Sequence, residues 1–230
     1  PISLYEVLLK LSTGTVQPVV DRCMEEVMHP NQFVGRKHIS VQQALQLVLH
    51  SMELLLRRGQ KIVIQACDVA DAFPTVHHWL LEMVLKGYGF PQGLVQFMKI
   101  ADAEGEFCMR TKRAFSKWFR KPWGGIGQGE KSSPGKYVWS TDPVLWRLHE
   151  DGVRELGIWV GYDFPEEIEV GGEKMRFVVV DGYLVATMFM DDLFLMSGSE
   201  EDMQMLNFIV TEFHDFQGSA MAAHKCVGGS

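Results

Sequence analysis

Asp191 and Asp192 stand side by side in Met188-Phe189-Met190-Asp191-Asp192-Leu193-Phe194-Leu195, between two apolar runs. This pattern predicts two strands joined by a tight hairpin with the acids at its tip. Carboxylates left among apolar residues without a partner are costly, so the pair asks for a cation. Hard oxygen donors of this kind suit Mg²⁺ or Mn²⁺. Asp68 ends another apolar run, Lys61 to Cys67. A carboxylate on that strand, facing the hairpin acids, can share two ions about 3.5–4 Å apart. Such a pair activates an attacking hydroxyl and stabilises a leaving pyrophosphate. An Asp-Asp pair also occurs because Asp tolerates tight turns, and an Asp can simply end a strand, so neither feature decides alone.

Two further segments carry chemistry. Gly124-Gly125-Ile126-Gly127-Gln128-Gly129-Glu130-Lys131-Ser132-Ser133-Pro134-Gly135 leads into a predicted helix. A glycine-rich loop lets backbone approach a ligand, and a helix N-terminus favours anions. Neither G-K-[ST] nor G-x-G-x-x-G occurs in it, so it is not a Walker loop or a dinucleotide fingerprint. An ordinary loop before a capped helix has the same spacing. Arg110, Lys112, Arg113, Lys117, Arg120 and Lys121 fall within twelve residues that contain no acid, with Trp118 and Phe119 interleaved. This suits a groove that tracks a nucleic-acid backbone and stacks bases, and equally a solvated hairpin face.

Elements must position these groups. Ser40, with Gln43 three residues on, predicts a capped helix. Its apolar face would be Val41, Ala44, Leu45, Val48, Leu49, Met52, Leu55 and Leu56. Ile62-Val63-Ile64 opens a strand running to Asp68. Helices are expected over 77–85, 91–101, 134–149 and 200–216. Hairpins are expected at 106–119 and at 166–180, the latter turning on Gly171-Gly172. Strands and helices mix without regular alternation, so the fold class is α+β. Trp139, Trp146, Trp159 and the methionines around Met188 to Met196 read as core.

The chain has 230 residues, 47% of them hydrophobic and 22% charged. This excludes a disordered tail, a collagen-like rod and a disulfide scaffold. The four cysteines, Cys23, Cys67, Cys108 and Cys226, form no C-x-x-C pair. They read as reduced thiols of an intracellular protein, nuclear or cytoplasmic. No apolar stretch suggests a membrane span. The start on Pro1 and the end on Gly228-Gly229-Ser230 read as a piece of a longer polypeptide. The net charge of −7 argues against a general nucleic-acid coat. The charge is segregated, however: residues 1–98 balance at 0, 99–136 carry +5 and 137–230 carry −12.

In this order the segments resemble a reverse transcriptase of the non-LTR retrotransposon type. Pro1-Ile2-Ser3-Leu4 is similar to the family's R-P-I-S-L opening. Gln32-Phe33-Val34-Gly35-Arg36-Lys37 with Ser40 to Ala44 resembles the second fingers motif. Asp68-Val69-Ala70-Asp71-Ala72-Phe73 resembles motif A, D-x-x-K-A-[FY]. Gly125 through Pro134 resembles motif B, Phe189-Met190-Asp191-Asp192 motif C, and Gly218 through Lys225 motif D. The resemblance implies a right-hand polymerase palm, an antiparallel sheet backed by helices, with interleaved fingers and no thumb. Fingers would span 1–60 and, with connecting helices, 77–128; palm would span 61–76 and 129–230. Asp68 and Asp191 would hold two Mg²⁺ (or Mn²⁺), with Asp192 beside them. Phe73 would exclude a ribose 2′-OH, Gln128 and Gly129 would line the nascent base pair, Lys225 would approach the triphosphate and Arg36 would contact a phosphate. The implied partners are an RNA template, a DNA primer, dNTPs and the parent's thumb and endonuclease domains, with no membrane.

Departures from the family pattern keep other readings open. Asp71 stands where motif A usually has Lys, Pro74 replaces an acid, and Ser219 and Ala222 replace the Leu and Asn of motif D. Glu130 adds negative charge in motif B. A decayed or domesticated nucleic-acid-binding module without catalysis is therefore the alternative. An RNA-templated RNA polymerase is a third reading, against which the aromatic Phe73 speaks. His77-His78 reads as a helix-start contact, and residues 159–183 as an inserted acidic hairpin.

Overall fold

The structure is a computed structural model and describes residues 7–35, 40–70, 72–103, 106–108, 114–120, 124–126, 132–161, 167–170, 173–176, 182–222 and 226–229. The first half runs α1 (Val7–Val27), α2 (Val41–Arg57), β1 (Val63–Cys67), β2 (Val69–Ala70), α3 (Ala72–Thr75), α4 (His78–Gly87), α5 (Gln92–Ala103), β3 (Glu106–Phe107), β4 (Phe119–Arg120) and α6 (Ser133–Leu148). A 3-10 turn, Arg154–Leu156, follows. The second half runs β5 (Ile158–Trp159), β6 (Glu167–Val170), β7 (Glu173–Arg176), β8 (Tyr183–Leu184), β9 (Ala186–Phe189), β10 (Asp192–Ser197), α7 (Glu200–Gln217), β11 (Ala220–Met221) and β12 (Val227–Gly229).

The main sheet is antiparallel in the order β12-β1-β10-β9. Side chains alternate along a strand, so each strand serves two layers. Leu193 and Leu195 of β10 pack with Val144, Leu145 and Leu148 of α6 and Met203, Leu206 and Val210 of α7. Phe194 and Met196 turn the other way, toward Ala44, Leu47, Val48 and Leu55 of α2. Gln65 of β1 faces α7, where the Asn207 amide donates to its Oε1 at 2.6 Å. α1, α4, α5 and the first half of α6 form a separate core around Met24, Leu81, Leu85, Met98 and Trp139.

Local chemistry fixes the ends of the helices. The Ser40 N–H donates to Gln43 Oε1 at 2.6 Å at the start of α2. The Ser199 hydroxyl accepts from the Asp202 N–H at 3.0 Å, and three acids occupy the first turn of α7, where they oppose the helix dipole. Gly218 stops α7 at φ 75°, a left-handed conformation that favours glycine. Among the described residues no helix is long and apolar enough to cross a membrane.

Several expectations shift. The buried stripe of α2 is Ala44, Leu47, Val48, Ser51 and Leu55, while Val41, Leu45, Leu49 and Leu56 are exposed. A helix resting on a sheet buries one stripe only, and this apolar arc is wider than its contact. Trp139 is buried, but Trp146 and Trp159 are 45% and 44% exposed, so these two are not core. α1 was not signalled by sequence. Gly14 and Pro18 lie inside it, and packing of Val20 and Met24 overrides their poor propensity. Both expected hairpins are present as strand pairs, β3–β4 and β6–β7, while the expected turn at Gly171-Gly172 lies outside the described residues.

Candidate active site

β1 ends at Cys67, paired with Leu193 of β10, so the next position along the same register sets Asp68 opposite Asp192. β9 and β10 pair through Phe189 and Asp192, leaving Met190 and Asp191 as a two-residue turn. Such turns need positive φ at one or both central residues and favour glycine there. Met190 takes φ 62° without being glycine, and it is the one such residue among those described. Backbone strain of this kind, about 1–3 kcal/mol, persists only where surrounding structure enforces it. Here Met190 is held by packing against the cores on either side of α6.

A tyrosine from α6 reaches this corner. Tyr137 is 1% exposed, and its hydroxyl finds no hydrogen-bond partner among the described residues. Burial, and then the charges of Asp191, Asp68 and Asp192, push its phenol well above the ordinary value. The phenol therefore stays protonated in the neighbourhood of these acids. The Phe73 ring stacks on Tyr137, with centroids 5.6 Å apart and planes at 29°. Sequence reasoning missed Tyr137; only its place one turn into the helix after Ser133-Pro134 hinted at it.

The backbone around Phe73 is pinned by the start of the glycine-rich loop. The Ile126 N–H donates to the Phe73 carbonyl at 3.0 Å and the Gly125 N–H to the Val76 carbonyl at 2.7 Å. A Cβ on Gly124 would lie 2.9 Å from the Val76 carbonyl oxygen, and one on Gly125 would lie 2.9 Å from that of Pro74. At these two positions the close approach is to the chain itself rather than to a ligand. His78 Nε2 lies 3.1 Å from the Gly125 carbonyl oxygen. His77 occupies the position before α4 with no capping hydrogen bond from its side chain. The His77 ring fills the space that a Cβ on Gly218 would need.

The final strands flank Asp68. β11 pairs with β2, and the Ala222 N–H donates to the Asp68 carbonyl at 2.8 Å. β12 pairs with β1 in a register offset from that ladder by three residues. Burial, with Cys226 adding to it, pushes the Cys67 thiol up to about 12.

Other expected site residues are only partly described. Lys117 is exposed beside β4, and Phe115, Trp118 and Phe119 are exposed aromatics in the same stretch. The β4 backbone includes Arg120. Arg36, Arg110, Lys112, Arg113, Lys121, Gln128, Gly129 and Lys225 lie outside the described residues.

Asp68, Asp191 and Asp192 lie at one end of the main sheet, and carboxylate oxygens are the hard donors that a divalent cation takes. Among the described residues no three His, Cys, Asp or Glu side chains are gathered closely enough to form a cage.

A helix-backed antiparallel sheet with carboxylates at one strand end and on the neighbouring hairpin is the palm of a right-hand polymerase, here with fingers elements interleaved. The family model for reverse transcriptase (RNA-dependent DNA polymerase) matches residues 1–229, and the chain belongs to that family. Among solved structures it is similar to apo telomerase from Candida tropicalis truncated from its C-terminal domain, with TM-score 0.62 and 11% identity over 99% of this chain and 44% of that one. It is also similar to telomerase from Candida albicans in complex with a TWJ fragment of telomeric RNA, with TM-score 0.53 and 12% identity over 97% of this chain and 33% of that one. At such identities the likeness is one of fold. No curated protein matches the chain.

Proposed function

We propose that this chain is the fingers–palm portion of an RNA-directed DNA polymerase of the non-LTR retrotransposon type, extending a primer 3′-OH with dNTPs on an RNA template. The observation that carries this is the register that sets Asp68 opposite Asp192, beside the hairpin turn that holds Asp191, within a chain of this family. The telomerase of Candida albicans, similar in fold, is described with RNA, which supports an RNA partner. In this reading residues 1–60 and 77–128 serve as fingers and 61–76 and 129–230 as palm. The free thiols favour an intracellular setting, nuclear or cytoplasmic.

Asp68 and Asp191 would hold two Mg²⁺ ions, with Asp192 beside them. When bound, these ions offset phosphate charge and favour the deprotonated primer hydroxyl. Phe73, backed by Tyr137, presents a ring to the sugar and rejects a 2′-OH. Tyr137 has a proton to donate toward a water or phosphate oxygen in the same corner. Lys225 and Arg36 would supply cationic contacts to the triphosphate, Gln128 and Gly129 would contact the new base pair, and Lys117 with Arg110, Lys112, Arg113, Arg120 and Lys121 would follow the template backbone. Chemistry of this kind rests on positioning and charge neutralisation, and these residue types provide both.

The test is primer extension by the full-length protein on an RNA template, with dNTPs or rNTPs and with Phe73→Ala as the companion variant. Extension with dNTPs, and rNTP use that rises about tenfold or more in Phe73→Ala, is the expected result. Template binding without any Mg²⁺-dependent extension would instead favour the non-catalytic module suggested by Asp71, Pro74 and Ala222. Efficient rNTP use by the unaltered protein would favour an RNA polymerase.

A further inference from the structure

We propose that Cys67 and Cys226 form a reversible cross-strand disulfide, a redox-modification site at the edge of the palm sheet. In sequence the two are 159 positions apart. In the fold β1 and β12 pair antiparallel, with Ala66 opposite Val227, and the next position along this register is Cys67 opposite Cys226. Directly opposed residues of an antiparallel pair point to the same face, with Cα atoms about 4.5 or 5.5 Å apart. Both spacings lie within the range that a disulfide spans. The side chains agree with this facing: Cys226 packs against the core cluster that contains Cys67.

The two sulfurs differ in access, and this sets the order of events. Cys67 is buried and Cys226 half-buried. A small disulfide such as oxidised glutathione therefore meets Cys226 first. The Cys226 sulfur attacks one glutathione sulfur, loses its proton to water and releases one glutathione as thiolate. Cys67 then attacks the Cys226 sulfur of the mixed disulfide, loses its proton and expels the second glutathione. Overall two thiols and one glutathione disulfide become one protein disulfide and two glutathione thiols. A dithiol reductant reverses it.

The position gives the bond a consequence. Cys67 is joined directly to Asp68, and Cys226 marks the point where the chain re-enters pairing after the three-residue offset between the β2–β11 and β1–β12 ladders. The bond would staple β12, a short glycine-containing edge strand, to the strand that delivers Asp68. The proposal does not depend on the polymerase reading, since its readout is thiol chemistry.

The experiment incubates the full chain with oxidised glutathione, traps remaining thiols with N-ethylmaleimide in denaturant and maps all four cysteines by peptide mass spectrometry. The expected product is one peptide pair linking Cys67 to Cys226, two hydrogens lighter than the reduced pair and absent after dithiothreitol. Two thiols should remain trappable, and the melting temperature should rise by several degrees, because the bond closes a long loop of the unfolded chain. Cys226→Ser should lose the link and keep the circular dichroism spectrum of the reduced protein. Cys67→Ala should instead accumulate glutathione on Cys226. Recovery of maleimide-labelled Cys67 from folded, oxidised protein would overturn the proposal. So would a glutathione adduct on Cys226 that never proceeds to the link, or a link that forms only under denaturing conditions.

Discussion

α6 carries two polar clusters, and they differ in how completely the protein satisfies them. Near its first turn Tyr137 faces Asp68, Asp191 and Asp192 with a hydroxyl that lacks a hydrogen-bond partner among the described residues. At its middle and C-terminal end Asp142 and His149 organise a closed network. Asp142, fully buried, accepts from the His29 N–H at 3.0 Å, from the Trp146 indole N–H at 3.1 Å and from the Tyr88 hydroxyl. His149 Nδ1 donates to the Leu145 carbonyl at 2.8 Å, leaving Nε2 to accept from the Asn31 amide at 3.3 Å. The Asn31 amide also donates to the Ala186 carbonyl at 3.1 Å, and the Phe33 N–H and Met188 carbonyl pair at 2.9 Å. One cluster has spent its hydrogen-bonding capacity on holding β9 in place. The other keeps capacity at the tip of the hairpin that β9 begins. Buried polar groups are normally satisfied, and the ligand site proposed above would supply the partner that the Tyr137 hydroxyl lacks among the described residues.

The sharpest way to separate the clusters is to remove an acid from each. Asp191→Ala should reduce primer extension by the full-length protein roughly a thousandfold, the scale of losing one transition-state charge contact. Its urea midpoint should be unchanged or slightly higher, because the variant relieves repulsion among neighbouring carboxylates. An equal loss of stability and activity would make Asp191 structural. Asp142→Ala should do the reverse. It orphans the buried His29 N–H together with the partly buried Tyr88 hydroxyl and the Trp146 indole N–H, and should cost about 2–3 kcal/mol of folding free energy in urea titrations. Any activity lost should return when measured on the fraction still folded.

The same contrast explains what could be read from the sequence. The Asp68 strand and the Asp191-Asp192 hairpin were legible because apolar runs flanked by turn residues report a buried strand directly. The 166–180 hairpin was legible from the turn residues Gly171-Gly172. The closed network was not legible. His29, Asn31, Asp142 and His149 come from distant segments and have no shared spacing, so only the packed fold brings them together. β11 and β12 were missed because residues 219–229 lack alternation; the edge of β1 and the short β2 recruit them. Tyr137 was invisible as a site residue since a tyrosine in an apolar helix looks like core, and it becomes informative only when its hydroxyl is seen to lack a partner.

Protonation offers a milder test of the satisfied side. Burial pushes His149 of the closed network down to about 4 from the ordinary 6.5, and does the same, despite the opposing charge of Asp215, to His214 of α7, which lies outside both clusters. Both are therefore neutral when folded. His214 Nδ1 lies 2.8 Å from the Ser219 hydroxyl beside the end of α7. A base whose folded pKa is depressed binds more protons when unfolded, so its stabilising contribution is complete above 6.5 and is lost as the pH falls from about 6.5 toward 4. At pH 5.5 each histidine should cost about 1 kcal/mol. Urea midpoints measured between pH 7.5 and 5 should decline, and His149→Gln should flatten part of that decline. A pH dependence unchanged in His149→Gln would place the titrating groups elsewhere.

Tyr137→Phe is the smallest change and the most direct probe of the unsatisfied side. It deletes one oxygen and keeps the ring that stacks on Phe73. If the hydroxyl were a structural hydrogen-bond donor, its loss would destabilise the fold by about 1 kcal/mol. Because it is buried and unpartnered, its removal should stabilise the chain by a similar amount, about 1 kcal/mol, by deleting a desolvated polar atom. In the working enzyme the hydroxyl should find its partner only when nucleotide or a bound water arrives, so the KM for dNTP should rise several-fold with little change in sugar discrimination. Higher stability together with weaker nucleotide use is the opposite pairing to that expected of a core residue. It distinguishes a hydroxyl held in reserve for a ligand from one that packing merely failed to satisfy, since in the second case stability would rise and dNTP use would stay as it was.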